Sequence, residues 1–167
     1  MISAFLGLGS NLQSPRAQLQ RCIDALTQLP GTELIAVSPF YGSAAVGPGT
    51  QPDYVNAVAQ IETALAPQDL LTALQQIEQE QGRERGPERW LPRTLDLDIL
   101  LYGDQVVNLP HLHIPHPRMH ERSFVLLPLF DLAPDLALPD GQPVRQLLQR
   151  CSRDGIWLLE DTHTGDR

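Results

Sequence analysis

Apolar residues recur along the chain with two different spacings, which predict strands and helices in turn. Alternation at every second position predicts a strand, because successive side chains of a strand point to opposite faces. Recurrence at every third and fourth position predicts a helix. The predicted strands are Ser3–Gly9, Leu34–Tyr41, Tyr54–Ala64 and Leu95–Tyr102, and the predicted helices run from Ser14, as N-cap, to Pro30 and from Pro67 to Gln81. This β-α-β-β-α-β order predicts an α+β fold, a ferredoxin-like α/β sandwich whose antiparallel sheet is flanked by helices that we expect on one face.

The pattern is less regular after Tyr102. A polar tail follows residue 153, with one apolar run at Ile156–Leu159. We therefore expect one domain over residues 1–153 and a peripheral tail over residues 154–167. The further elements that we expect are a short strand at Gln105–Leu109, a helix or apolar turn at Ser123–Leu132 and a last amphipathic helix at Pro143–Arg150.

Composition and charge exclude several classes of protein. A net charge of −8 argues against a nucleic-acid partner bound through its phosphates. All basic residues are arginine, which excludes a P-loop because that motif requires its lysine. The two cysteines, Cys22 and Cys151, lack metal-ligand spacing and a disulfide pattern. The N-terminus has no basic lead of a signal peptide and no apolar run is long enough to span a membrane, so we expect a cytoplasmic protein. We also expect a monomer.

Candidate chemistry is concentrated between Gly82 and Leu101. Several arginines precede Asp96 and Asp98, which share one face of the predicted strand, while Leu95, Leu97, Ile99 and Leu101 share the other. The two carboxylates lie about 6.6 Å apart along a strand that rises about 3.3 Å per residue. Paired carboxylates with open positions suit Mg²⁺, and arginine suits phosphate. A Mg²⁺–polyphosphate site and a plain surface ion-pair network are both compatible with this stretch.

Two further segments have chemistry with more than one interpretation. Gly42–Gln51 is rich in small residues, as active-site lids are, although an ordinary connector has the same composition. His111, His113, His116 and His120 lie in a proline-rich stretch whose spacing fits no zinc pattern. Single histidines that contact phosphate are the better interpretation.

Five segments of the chain are distinctive in combination: GLGSNL, FYGSAAVG, QPDYVNAV, RWLPRTLDLDILLYG and IPHPRMHERSFVLLPL. Together they resemble the 6-hydroxymethyl-7,8-dihydropterin pyrophosphokinase family of folate biosynthesis, over roughly residues 1 to 150. The resemblance implies transfer of diphosphate from ATP to the hydroxymethyl group of the reduced pterin, with AMP leaving and two Mg²⁺ ions taking part. It also implies a ferredoxin-like fold, in agreement with the predicted order of elements.

The resemblance also implies roles for particular residues. Asp96 and Asp98 would hold the metal ions and act in catalysis together with Arg83 and Arg93. The nucleotide would be bound by Gln75, Glu78, Arg85, Trp90, Ile99, His116 and Arg122. The pterin would be bound by Ser43, Ala44, Val46, Tyr54, Asn56, Trp90 and Phe124. Without the resemblance, Tyr54 and Phe124 would also suit an ordinary core.

Two departures from the family pattern concern the nucleotide side. Pro117 stands where the family often has an aromatic residue, and Gly86-Pro87 stand where a lysine is common. The same carboxylates and arginines would also suit a metal-dependent phosphohydrolase. A ferredoxin-like RNA-binding module is a further alternative, which the negative charge opposes.

Overall fold

A computed structural model of the chain describes residues 1–11, 14–44, 53–83 and 95–159, apart from the side chains of residues 82 and 83. The strands within these ranges are β1 (Ile2–Ser10), β2 (Thr32–Val37), β3 (Tyr41–Ser43), β4 (Tyr54–Thr63), β5 (Leu95–Tyr102), β6 (Val107–Leu109), β7 (Leu112–Ile114) and β8 (Ile156–Leu158). The helices are α1 (Pro15–Leu26), α2 (Pro67–Arg83), α3 (Ser123–Leu132) and α4 (Val144–Gln149).

The main sheet is antiparallel and has the order β5-β1-β4-β3-β8, with β2 also paired to β4. Its first elements follow the β-α-β-β-α-β order when β2 and β3, which both pair with β4, are counted as one broken strand, so the ferredoxin-like prediction is confirmed. The helices α1 and α2 pack on one face, as expected. A second layer, formed by α3 and α4, covers part of the opposite face, which the sequence pattern did not predict.

Alternation along the strands produces two separate apolar clusters. The cluster under α1 and α2 contains Leu6, Leu8, Ala57, Ala59, Ile61, Leu97 and Ile99. The cluster under α3 and α4 contains Phe5, Val58, Leu100, Leu101, Leu126 and Leu129. The expected position of Leu101, on the face of Leu97, is wrong. The register between β1 and β5 shifts between Phe5 and Leu6, and such a bulge places one residue out of alternation.

The second predicted strand, Leu34–Tyr41, is divided into β2 and β3. Ser38 donates its N–H to the Val58 carbonyl at 2.8 Å, and its hydroxyl accepts the Val58 N–H at 2.9 Å. Pro39 follows and has no N–H to give to a ladder. The side chain of Ser38 thus replaces a backbone acceptor at the break, and both strands continue along one edge of β4.

The ends of α1 and the C-terminal tail also differ from the expectation. Ser14 precedes α1 with φ of 56° and makes no capping hydrogen bond with its side chain to the described residues. The helix ends at Leu26, where the Thr27 hydroxyl donates to the Asp24 carbonyl at 2.6 Å. The expected peripheral tail over residues 154–167 contains β8, which pairs with β3 at the edge of the main sheet.

Candidate active site

A cavity of about 470 Å³ opens on the face of the sheet that α3 and α4 cover only in part. Its size lies in the range of about 300–1,000 Å³ that is typical of small-molecule sites. Predicted site residues that line it are Ser43, Ala44, Tyr54, Asn56, Asp96, Asp98, His116, Arg122 and Phe124. The topology therefore joins residues from β3, β4, β5 and the start of α3 in one cavity.

Two glycines of β1 form the floor of this cavity. Gly7 pairs with Asp98, and Gly9 pairs with both Asp96 and Asn56. A Cβ atom at Gly7 would lie 3.3 Å from the Leu100 side chain, and one at Gly9 would lie 3.1 Å from the Asn56 side-chain oxygen. Both glycines leave room that a side chain would fill. Sequence reasoning missed them, although both alternate with buried Leu6 and Leu8.

Asp96 and Asp98 lie side by side on the cavity face of β5, as alternation predicts. Leu97 between them is buried in the opposite cluster. Burial raises the pKa of Asp98, and the Arg122 guanidinium opposes that shift. A carboxylate that loses water without full compensation favours a bound cation. The pair therefore has the charge and the spacing of a candidate metal site.

A third carboxylate supports β5 from behind. Glu78 of α2 accepts the N–H of Leu97 at 2.6 Å, at the residue between the two aspartates. Burial raises the pKa of Glu78 to about 7; the hydrogen bond from Leu97 opposes the shift, while the charges of Asp96 and Asp98 add to it. Among the described residues Glu78 does not line the cavity. The structure therefore assigns its carboxylate to the backbone of β5.

Basic groups face the carboxylates across the cavity. The Nε2 atom of His116 lies 4.0 Å from an Asp98 oxygen, and its Nδ1 atom accepts the Arg118 N–H at 3.2 Å. Burial, followed by the charges of Arg122 and Arg118, lowers the pKa of His116. This favours a neutral ring with its proton on Nε2, toward Asp98. Arg118, which sequence reasoning missed, also lines the cavity.

The other end of the cavity combines an amide with aromatic rings. Asn56 is buried, and its side-chain nitrogen donates to the Ser43 hydroxyl at 2.8 Å. Tyr54 and Phe124 line the same space. The Arg122 guanidinium lies over the Phe124 ring, 5.6 Å from its centre. Aromatic faces beside fixed polar groups suit a flat ligand that carries hydrogen-bonding edges.

Some predicted residues are not brought to the cavity. Gln75 lies on the exposed face of α2, beside a separate depression with Thr72 and Gln79. The side chain of Ile99 is buried in the cluster under α1 and α2, so it does not face the cavity. The predictions for Val46, Arg85, Trp90, Arg93 and the side chain of Arg83 lie outside the described residues.

The donor set fits Mg²⁺ better than zinc. The described ranges contain no group of three or more histidine, cysteine, aspartate or glutamate side chains arranged for a metal. Asp96 and Asp98 together offer carboxylate oxygens and leave positions open, as Mg²⁺ requires when substrate phosphates and water complete its shell.

Within the described residues, no helix has the length and apolar character needed to cross a membrane.

Paired carboxylates at one end of a cavity, with rings and an amide at the other, define a site where a phosphate chain can meet a flat polar ring. Residues 5–134 match the model of the 7,8-dihydro-6-hydroxymethylpterin-pyrophosphokinase (HPPK) family. The chain belongs to this family.

Curated relatives agree with this assignment. The chain is 57% identical over 152 residues to a 2-amino-4-hydroxy-6-hydroxymethyldihydropteridine pyrophosphokinase of Pseudomonas aeruginosa, covering 91% of this chain and 93% of the relative. It is 53% identical over 150 residues to the protein of the same name from Haemophilus influenzae, covering 90% and 93%.

Solved structures agree with the fold. The crystal structure of Plasmodium falciparum HPPK-DHPS wild type with pteroate matches with a TM-score of 0.67 and 14% identity, covering 89% of this chain. Our chain spans 42% of that longer chain. At this identity the likeness concerns the fold alone.

Proposed function

We propose that the chain transfers the diphosphate of ATP to the hydroxymethyl group of 6-hydroxymethyl-7,8-dihydropterin, in folate biosynthesis, and releases AMP. The observation that carries this proposal is the single cavity that joins Asp96 and Asp98 to Asn56 and Phe124 in a chain of this family. The transfer forms a bond between the hydroxyl oxygen and the β-phosphorus. The bond from that phosphorus to the oxygen of AMP breaks in line.

The pterin would occupy the end lined by Asn56, Tyr54 and Phe124. Asn56 is fixed by its hydrogen bond to Ser43, so its amide can present a donor and an acceptor to the ring edge without losing rotamer entropy on binding. The aromatic side chains would hold the flat ring between them. The floor at Gly7 and Gly9 leaves space for the ring and its hydroxymethyl group.

The phosphates would lie toward β5. Asp96 and Asp98 would hold Mg²⁺, and two ions are proposed because the family resemblance implies two. When bound, such ions would offset the negative charge of the phosphates and lower the pKa of the attacking hydroxyl group. Glu78 keeps the backbone between the two aspartates in place through Leu97. His116 and Arg122 stand opposite Asp98, where donors can orient the oxygens of the phosphate chain.

Other parts of the proposal rest on the family resemblance. Arg83, Arg85 and Arg93 would act on the phosphates, Trp90 and Val46 would contact the substrates, and Gln75 and Ile99 would contact the nucleotide, Ile99 through its backbone. A cytoplasmic location and a monomeric state also remain predictions.

The direct test is to incubate the purified chain with ATP, Mg²⁺ and the reduced hydroxymethylpterin and to separate the nucleotides by chromatography. We expect AMP and the pterin diphosphate in equal amounts. The matched control is the reduced 6-methylpterin, which keeps the ring but lacks the hydroxyl that accepts the diphosphate. AMP should not form with this control.

Two other results would each contradict the proposal. Phosphate release that does not depend on the pterin would indicate a metal-dependent phosphohydrolase instead. A wild-type protein that is folded but forms neither AMP nor phosphate would exclude both reactions.

A further inference from the structure

The short strand β3 carries residues of the substrate cavity, yet it is only three residues long. Ser43 lines the cavity and accepts the hydrogen bond that fixes Asn56. On its inner edge β3 pairs with β4, through Tyr41–Asn56 and Ser43–Tyr54. A strand this short needs support on its outer edge to hold a precise position, because isolated pairings of a few residues are weak.

That support comes from β8. Gly42 pairs with Trp157, and hydrogen bonds extend the pairing at both ends. The Ala44 N–H donates to the Gly155 carbonyl at 2.9 Å, and the Leu159 N–H donates to the Phe40 carbonyl at 3.0 Å. These bonds turn β3 from an edge strand into an interior strand of the main sheet.

The indole of Trp157 lies directly across Gly42. A Cβ atom built at Gly42 would lie 2.4 to 2.7 Å from three atoms of the indole ring. Such distances are shorter than any real carbon contact, so the ring occupies the space that every residue other than glycine would need. Gly42 and Trp157 therefore fit each other as a pair.

The two faces of β3 connect this pair to the cavity. Tyr41 and Ser43 point to the cavity side, where Tyr41 also donates a hydrogen bond to Asp131 of α3. A side chain at Gly42 would point to the other face, against Trp157. A shift of β3 caused at Gly42 would move Ser43, and with it the amide of Asn56.

We propose that Trp157 is a positioning residue of the substrate cavity: by covering Gly42 it holds β3 in register and so presets Ser43 and Asn56 for the pterin. This inference rests on the proposed function. It assigns to the C-terminal strand a role in affinity for the pterin, while the phosphate end at Asp96 and Asp98 lies on β5, at the opposite edge of the sheet.

The experiment compares Trp157→Ala, Gly42→Ala, the double variant and Trp157→Phe in the steady-state assay. We expect Trp157→Ala to raise the KM for the pterin about tenfold, since small displacements of a binding group cost one to two orders of magnitude. The KM for ATP should change less than about twofold. Trp157→Phe should recover most of the loss, because a ring still covers Gly42.

The double variant is the sharpest part of the test. Gly42→Ala should resemble Trp157→Ala, because the new methyl group displaces the indole. Once the indole is absent, the methyl group has space, so the double variant should be no worse than either single variant. Hydrogen exchange of the Ala44 amide should become faster in Gly42→Ala, Trp157→Ala and the double variant, since the hydrogen bond of this amide to Gly155 loosens.

Ile35→Ala is the matched control. Ile35 lies in β2, which pairs with β4 along the same edge as β3. Its side chain is 43% exposed, and that of Trp157 is 42% exposed. It should leave both KM values unchanged.

Three outcomes would overturn the inference while wild-type protein still forms AMP. These are an unchanged pterin KM in both single variants, additive losses in the double variant, or a parallel rise of both KM values with a lowered Tm. If wild-type protein forms no AMP, the proposed function itself fails.

Discussion

The two faces of the same sheet differ in what their strands expose. Toward α1 and α2, the strands present a mainly apolar surface, with Leu6, Leu97 and Ile99 buried among their neighbours. Toward α3 and α4, the same strands are apolar only in part, and the remainder is the candidate active site. Adjacent residues of one strand therefore have different tasks. Leu97 contributes to the stability of the fold, and Asp96 and Asp98 on either side of it face the cavity.

This division places polar and charged groups where they cost the least. A site needs carboxylates and glycines on a strand, and neither stabilises a sheet. The opposite face supplies the apolar burial that offsets this cost. If the division is real, substitutions on one face should change activity without stability, and those on the other should do the reverse.

The largest effect is expected from Asp98→Asn. The variant keeps the shape of the side chain but removes its charge, so we expect kcat to fall by about three orders of magnitude or more as metal binding is lost. The measurement is the AMP-forming assay, with Asp104→Asn, an exposed acid after β5, as the matched control.

The same variant should not be less stable. In the folded protein the pKa of Asp98 is raised, so above the pKa of the unfolded chain the charged form lowers stability. Its removal should leave Tm unchanged or slightly higher. A full wild-type rate, or a large fall in Tm, would contradict the separation of the two faces.

Leu97→Ala is the converse test. Leu97 is 3% exposed, and truncating a buried leucine costs about 2–5 kcal/mol of unfolding free energy. Urea denaturation measures the loss, and Val106→Ala, at a side chain that is 63% exposed, should change stability by less than about 0.5 kcal/mol. At low temperature the folded fraction should retain near wild-type kcat. An inactive but folded variant would show that this face also shapes the site.

Gly9→Ala addresses the floor of the cavity. Its new methyl group would lie 3.1 Å from the Asn56 side-chain oxygen and would occupy space under the ring of the substrate. We expect the KM for the pterin to rise about tenfold with little change in Tm. Gly7→Ala is the graded partner, because there the methyl group would meet the apolar side chain of Leu100 at 3.3 Å and not the polar atom of a cavity residue. Equal effects of both variants would argue against a specific role for Gly9.

Sequence reasoning succeeded where periodicity carries the information. Alternation in β5 placed Asp96 and Asp98 on the face opposite Leu97, and β5 has the predicted bounds. It also gave the order of elements on which the fold depends. The face of Leu101 was not predictable, because a bulge depends on the pairing with β1 and leaves no mark in the pattern of one strand.

Three features of the molecule depend on contacts between distant segments. Gly7 and Gly9 form a floor only because β1 lies between β4 and β5. The segment Ser123–Leu132 is apolar on nearly all sides, so its periodicity does not show which layer it covers. The strand β8 is three residues long and is defined by its pairing with β3. Each could be recognised only after the sheet had been assembled.

The smallest effect is expected for the chemical labelling of the two cysteines, which should leave activity unchanged. Cys22 is fully buried in the cluster under α1 and α2, and burial raises the pKa of its thiol to about 12. Cys151 is half-buried beside α4 and donates a hydrogen bond to the His120 carbonyl. Because the thiolate is the reactive form, iodoacetamide at pH 8 should label Cys151 first and Cys22 only through unfolding. Mass spectrometry of the peptides measures both rates. In Leu97→Ala the labelling of Cys22 should accelerate, whereas in Asp98→Asn it should not. Similar labelling rates for both cysteines in wild-type protein would contradict the comparison, because they would mean that the apolar face opens as readily as the face that carries the site.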